Sequence, residues 1–337
     1  MTDTLLSGSA ASALPRVLVA RAVFPGHLER LLRHFAVDYH SAEEPLPRDA
    51  LRQRLADKHG ALVTGSERID EEVLAAAPLL RAIASISVGY DHLDLPACSR
   101  HRVLVTNTPD VLSETTADLG WALMMAAARR VSEGERWMRA GHWKRWALGQ
   151  MLGRDVHGAT LGIVGMGRIG QAIARRASGF AMNVIYHNRS PLDAQIEAQC
   201  RARYVSLAAL LAHADHVILV VPFSAATRHM IGAAELAAMK PTATLTNIAR
   251  GGLIDEPALC AALRSGRLAA AGLDVFEGEP RVLPELLELP NVALTPHIGS
   301  ATEATRDAMA QLAIDNLIEA LAGRVPPCLL NRDALTP

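Results

Sequence analysis

The chain has 337 residues, half of them apolar, and a formal net charge of −1. That length suits two domains with ample core, and the near-neutral charge argues against a general nucleic-acid or membrane-surface role. Cys98, Cys200, Cys260 and Cys328 are scattered without metal or redox spacing and read as free thiols in a reducing compartment.

Residues 1–15 are rich in Ser and Ala, carry no Lys or Arg, and read as a flexible tail rather than a secretory signal. The longest wholly apolar runs, such as Trp121–Ala128, are far short of a membrane span. The expectation is a cytoplasmic protein with no metal, membrane or nucleic-acid partner. Arg16–Ala20 reads as a first buried strand, followed by a helical stretch over Gly26–His34. Ala61–Thr64, Leu80–Ser87 and Val103–Thr106 are further short apolar runs, each bounded by helical or turn-rich sequence. Such alternation implies parallel pairing with right-handed crossovers. Ser87-Val88-Gly89-Tyr90-Asp91 follows one of these strands. A glycine there either exposes backbone N–H groups to a ligand or makes an ordinary turn.

Asn107-Thr108-Pro109-Asp110 punctuates the chain. A helix is predicted from Ser113-Glu114-Thr115-Thr116 through the Ala-, Leu- and Met-rich stretch to Arg130. Trp137, Trp143 and Trp146 then crowd together, the last two flanked by Gly141 and Gly149. An arm with this many aromatics suggests a subunit interface, the alternative being packing within one subunit.

Leu161-Gly162-Ile163-Val164-Gly165-Met166-Gly167-Arg168-Ile169-Gly170 is an apolar run ending in a triple-glycine turn, with a helical pattern directly after it. Strand, glycine turn and helix in this order point to dinucleotide binding. The first glycine permits the turn, the second lets a pyrophosphate approach, and the third lets helix and strand pack closely. The helix N-terminus offers N–H groups and partial positive charge to the phosphates. The ribose-facing position falls about 20 residues further on. After the strand Asn183–His187 stand Asn188, Arg189 and Ser190, with no carboxylate before Asp193. Arg189 offers a fork to a 2′-phosphate and Ser190 a hydroxyl, which predicts preference for NADP(H), with NAD(H) still possible.

His216–Pro222, Thr244–Asn247, Ala270–Phe276 and Asn291–Thr295 are the remaining apolar strands. Pro222, Arg250, Asp274, Glu279 and His297 lie at or beyond their carboxyl ends, the edge where open α/β sheets bind ligands. A helix over Thr302–Ala322 is expected to return to the first domain. The architecture predicted is α/β, with two Rossmann-like or flavodoxin-like parallel-sheet domains. The NADP-binding domain, 112–299, is inserted into a substrate-binding domain made of 16–111 and 300–337.

Arg250, Glu279 and His297 form the candidate catalytic set. Reduction of a 2-oxo acid needs a cation for the carboxylate, a proton donor for the nascent alkoxide, and a group that tunes and orients that donor. Arg supplies the fork, His titrates near neutrality, and a carboxylate beside it stabilises the imidazolium and fixes the ring.

Several segments together resemble the D-2-hydroxyacid dehydrogenase family from about residue 60 to 325. They are Ser87–Asp91, Glu114–Asp118, Gly165–Gly170, Asn247–Asp255, Gly272–Pro280 and Pro296–Ser300. The resemblance implies that Arg250 binds and orients substrate, Glu279 is the acid partner, and His297 is the general acid/base. It gives the Val88 and Gly89 backbone to the substrate carboxylate and Asp274 to the nicotinamide end. Thr116, Gly165, Gly167, Arg168, Ile169, Gly170, Pro222, Ile248, Ala249 and Gly299 are implied as cofactor neighbours, and Asn188, Arg189 and Ser190 match the NADP-type members. Within the family, Tyr186–Arg189, Gly141-His142-Trp143 and His297–Thr302 are most similar to the glyoxylate, hydroxypyruvate and 2-ketogluconate reductases. In that subgroup a tryptophan at the position of Trp143 borders the substrate pocket of the partner subunit, implying a homodimer through 112–150. The rival readings are a nicotinamide-sensing protein resembling the C-terminal-binding corepressors, and a formate- or phosphite-type dehydrogenase of the same fold.

Overall fold

The computed structural model describes residues 14–335, and the tail expected over 1–15 falls outside them except for its last two residues. The chain divides into two compact units, Met1–Pro109 with Arg306–Pro337 and Asp110–Thr305. The second is thus an insertion into the first. Its return boundary lies at 305 rather than 299 because the start of the last helix belongs with it: Thr305 and Thr115 share a hydroxyl hydrogen bond of 2.6 Å.

The first unit holds β1 (Arg16–Val19), β2 (Ala36–Tyr39), β3 (Gly60–Val63), β4 (Ala82–Ser85) and β5 (Leu104–Thr106). All pair in parallel in the order β2-β1-β3-β4-β5. The central strands are apolar and fully buried, as expected of strands covered on both faces. β2 has no such run. It is a half-exposed edge strand, and its Asp38 carboxylate pairs with Arg54 and Lys58. The helix Glu303–Leu321 packs on this sheet, with Ile314 and Leu317 among Val17, Val19 and Leu62.

The second unit holds β6 (Thr160–Val164), β7 (Asn183–His187), β8 (Ala202–Tyr204), β9 (His216–Leu219), β10 (Thr244–Asn247), β11 (Ala270–Leu273) and β12 (Val292–Leu294). The order β12-β11-β10-β9-β6-β7-β8 is again all parallel. The strand order reverses at β6, between β7 and β9, so the glycine turn that follows β6 stands at the switch point of a doubly wound sheet. β8 is three residues long at the sheet edge and leaves little trace in the sequence. The helix Ser113–Ala128 covers one face. Its Trp121 stacks on Phe180 at 4.7 Å, and the indole N–H donates to the Ile173 carbonyl.

Among the described residues no helix is long and apolar enough to cross a membrane. No group of three or more His, Cys, Asp or Glu among them could hold a metal. The four cysteines are free, and burial, aided by the Asp94 charge, pushes the Cys98 thiol up to about 12.

Candidate active site

The glycine turn has the geometry the motif demands. Gly165 has φ +103°, and a Cβ there would stand 2.7 Å from the Val220 carbonyl carbon. A Cβ on Gly170 would meet the Gly165 oxygen at 2.2 Å, so only glycine lets helix Arg168–Ala177 sit this close to β6. The Cβ position of Gly167 faces open space, and as N-cap it supplies no side-chain partner to the helix. The first-turn N–H groups are therefore left for an anion. Arg168 beside them pairs with Asp110, and Ile169 is half-buried.

At the end of β7 the Asn188 side-chain oxygen accepts the Met166 N–H at 2.7 Å, which ties this strand end to the glycine turn. Leu192 N–H donates to the Tyr186 hydroxyl, and the Tyr204 hydroxyl donates to the Asn188 carbonyl. Arg189 and Ser190 between these anchors are exposed. Open space at Gly167 and an uncapped helix N-terminus fit the pyrophosphate of a nicotinamide dinucleotide.

Further along the same carboxyl edge, β10 runs into Arg250. Asn247, wholly buried, donates to the Arg250 carbonyl at 2.8 Å and accepts the Ala249 N–H at 3.1 Å, which fixes the turn. The half-buried Arg250 guanidinium donates to the Ala249 carbonyl. Ile248 packs in the core against the helix that bears Thr116. Pro222, past β9, is exposed, and its carbonyl accepts the Thr227 hydroxyl at 3.0 Å.

Asp274, 1 % exposed at the end of β11, organises the segment that carries His297. Its carboxylate accepts from the Thr295 hydroxyl at 2.7 Å and from the N–H groups of Ile298 and Gly299 at 2.8 and 2.9 Å. Its carbonyl accepts the His297 N–H at 2.8 Å. Burial pushes the Asp274 carboxyl up; its hydrogen bonds and the His297 charge work against burial without cancelling it. His297 has φ +53°, a left-handed conformation that costs a non-glycine residue about 1–2 kcal/mol. The four bonds to Asp274 hold it there. Gly299 is buried close by, its Cβ position 3.4 Å from the Thr116 methyl.

The structure brings His297 and Glu279 together: Nδ1 lies 2.7 Å from Oε2. The other oxygen of Glu279 accepts the Phe276 N–H at 2.8 Å. Burial works to raise the Glu279 carboxyl, but the His297 hydrogen bond and charge, the Phe276 N–H and the Arg250 charge together hold it below its ordinary value. It is thus a carboxylate at neutral pH. A carboxylate can only accept, so Nδ1 carries the hydrogen and Nε2 is the ring atom left to exchange a proton.

Val88 and Gly89 belong to the first unit, in the turn after β4. Their carbonyls are engaged, by the Asn107 amide at 2.9 Å and the Ser87 hydroxyl at 2.7 Å. Ser87 is in turn bonded to Ser85, and Ser85 to His92. Trp143 lies in the turn after helix Val131–Arg139 and is half exposed.

Glu256, Glu277, Arg228 and His229 surround the Glu279 turn without any motif that marks them in the sequence. Asp255-Glu256-Pro257 carries a helix-start signal, yet that signal marks the helix and not what its second residue reaches.

Residues 121–299 match the family described as D-isomer specific 2-hydroxyacid dehydrogenase, NAD binding domain. The glyoxylate reductase of Thermococcus onnurineus is 46% identical over 325 residues, which cover 95% of this chain and 97% of that protein. The crystal structure of an NADPH-dependent glyoxylate/hydroxypyruvate reductase from Sinorhizobium meliloti, in complex with NADP and malonate, superposes with a TM-score of 0.86. It is 34% identical and covers 96% of this chain and 98% of that one. A glyoxylate reductase from Paecilomyes thermophila superposes at 0.84 with 35% identity, over 94% and 98% of the two chains. Two parallel-sheet units, a glycine turn at the switch point and this extent of identity make one conclusion: the chain belongs to the D-2-hydroxyacid dehydrogenase family.

Proposed function

We propose that the protein reduces a small 2-oxo acid, of the glyoxylate, hydroxypyruvate or 2-ketogluconate kind, to the D-2-hydroxy acid, with NADPH as preferred reductant. The observation that carries this reading is the 2.7 Å bond between His297 Nδ1 and Glu279 Oε2, with the Arg250 charge beside it. The pair stands on the edge of the sheet that bears the glycine turn.

The N–H groups after Gly167 hold the pyrophosphate, and Arg189 with Ser190 takes the 2′-phosphate. Asp274 stands at the nicotinamide end, and Thr116, Pro222, Ile248, Ala249 and Gly299 are further cofactor neighbours. Bound there, the cofactor supplies a hydride. Arg250 and the Val88 and Gly89 N–H groups orient the substrate carboxylate and carbonyl. His297 donates the Nε2 proton to the oxygen as negative charge develops on it. Glu279 keeps Nδ1 protonated and the ring in place, and stabilises the imidazolium form that gives up the proton.

The region 112–150, with its aromatic arm, is assigned to a homodimer interface. Trp146 and Leu148 are 74% and 82% exposed, and Trp143 and Leu152 are exposed beside them in sequence, an apolar surface that asks for a partner. Trp146→Ser with Leu148→Asp is expected to convert a dimer to a monomer in light scattering. An unchanged mass would remove the assignment.

The test of the activity is loss of NADPH absorbance with glyoxylate, hydroxypyruvate and 2-ketogluconate, each repeated with NADH. Turnover with NADPH above that with NADH supports both the site and the Arg189 argument. Cofactor binding without turnover on any 2-oxo acid would favour a nicotinamide sensor. NAD-linked oxidation of formate or phosphite would favour the dehydrogenases of that type.

A further inference from the structure

We propose that Glu256, which makes no hydrogen bond to Glu279 or His297, is the positioning residue that seats Glu279 against His297. The inference deepens the acid–base reading above and rests on it.

Glu256 is 6% exposed and opens the helix Glu256–Arg264. That helix is anchored by its N-cap Asp255, whose carboxylate accepts the Ala258 N–H at 3.0 Å and whose own N–H donates to the Ile231 carbonyl at 3.0 Å. From this fixed base Glu256 Oε1 accepts the Glu277 N–H at 2.7 Å, 21 residues on in the chain. The neighbouring N–H, that of Phe276, donates to Glu279 Oε1. Two consecutive amides of one turn thus point at two carboxylates. The first comes from the helix and holds the turn. The second belongs to the turn and is carried by it to His297.

The same turn is gripped from its other side. The Glu277 side chain meets His229 Nε2 at 2.8 Å and Arg228 Nη2 at 3.1 Å, and His229 N–H donates to the Gly252 carbonyl at 2.8 Å. A Cβ on Gly251 would fall 1.8 Å from the Phe276 carbonyl carbon, so the Arg250 loop packs backbone to backbone on the turn. Glu256 is the inner half of this clamp. Shortening it leaves the Glu277 amide without its acceptor and frees the turn to shift, and a shift of about 1 Å at a catalytic group costs up to about 100-fold in rate.

The clamp needs an acceptor at the right reach, not a charge. The Glu277 N–H is the donor, so the amide oxygen of a glutamine, at the same length, can accept the same bond; burial, helped by the nearby Glu277 and Glu279 charges, also pushes the Glu256 carboxyl up. This separates two conservative variants. Glu256→Gln keeps the reach and the acceptor. Glu256→Asp keeps the carboxylate and draws it back by one methylene.

The expected result is kcat for glyoxylate with NADPH within twofold of wild type in Glu256→Gln and at least tenfold lower in Glu256→Asp, with the KM for NADPH unchanged in both. In a Glu279→Gln background, Glu256→Asp is expected to lose its effect on kcat. A second readout needs no turnover. In the cofactor-free protein the Glu279 carboxyl titration, followed by carbon-13 NMR and identified by its loss in Glu279→Gln, should move up in Glu256→Asp and stay put in Glu256→Gln. Equal losses in both variants, a fully active Glu256→Asp, or an Asp effect that persists without Glu279 would overturn the proposal. Absence of turnover in the wild type would instead count against the 2-oxo acid reading, and the titration would still decide the clamp.

Discussion

The segment that carries His297 and the loop that carries Arg189 both follow strands of one sheet, yet they are built in opposite ways. His297 is held in a left-handed backbone by bonds to Asp274, and its ring is tied to a carboxylate that is itself tied to the backbone. Around Arg189 the protein fixes only the two ends, through Asn188 to Met166 and Leu192 to Tyr186, and leaves the guanidinium exposed. The contrast suits the roles proposed for them: a group that must pass a proton to a reacting atom works only at one position, so its alternatives are removed in advance. A group that recognises a phosphate meets a ligand bringing its own strong charge, and reach suffices.

The contrast can be broken at either end, and the largest effect belongs to the rigid one. His297→Asn is expected to lower kcat by about 10²–10⁴-fold while the dissociation constant for NADPH, read by fluorescence, stays within twofold. An active variant would end the acid–base assignment. At the exposed end, Arg189→Ala is expected to raise the KM for NADPH by about 10- to 100-fold, the value of a hydrogen bond to a charged group, with NADH little affected. Equal losses for both cofactors would refute the phosphate contact.

A pH experiment sharpens the rigid side. The Glu279 carboxyl is held below its ordinary value of 4.5 in the folded protein. A group of this kind contributes stability that is present above its unfolded pKa and is lost as pH falls through the lower, folded one. Wild type should therefore melt above Glu279→Gln at neutral pH, with the gap closing as pH falls below about 4.5. A gap independent of pH would mean that the carboxylate's pairing with His297 contributes nothing to folding. The smallest change is expected from Tyr204→Phe, which removes a 3.3 Å bond to the Asn188 carbonyl. Its cost is about 0.5 kcal/mol, or a two- to threefold rise in the KM for NADPH. A larger effect would show that the cofactor loop is held more tightly than its exposed side chains suggest.

What the sequence revealed follows the same division. Gly165 and Gly170 are legible because a positive φ and a 2.2 Å approach exclude other residues. Arg250, Glu279 and His297 are legible because apolar strands point to the edge where they stand. β2 and β8 are not, since short edge strands with half-exposed side chains carry no apolar run. Glu256 is hidden for another reason. Its work is a side-chain bond to a backbone amide 21 residues away, and no spacing rule records such a bond. The left-handed backbone of His297 is equally silent, because the neighbouring bonds and not the residue type impose the conformation.

The proposed function turns on direct hydride transfer to a 2-oxo acid at the His297–Glu279 pair, giving the D alcohol. Its test is reduction of hydroxypyruvate with NADPH carrying deuterium at both nicotinamide C4 positions, followed by chiral analysis of the product. D-glycerate with deuterium at C2 is expected from the wild type, and almost none from His297→Asn over the same time. L-glycerate, deuterium absent from C2, or equal product from the two proteins would contradict it.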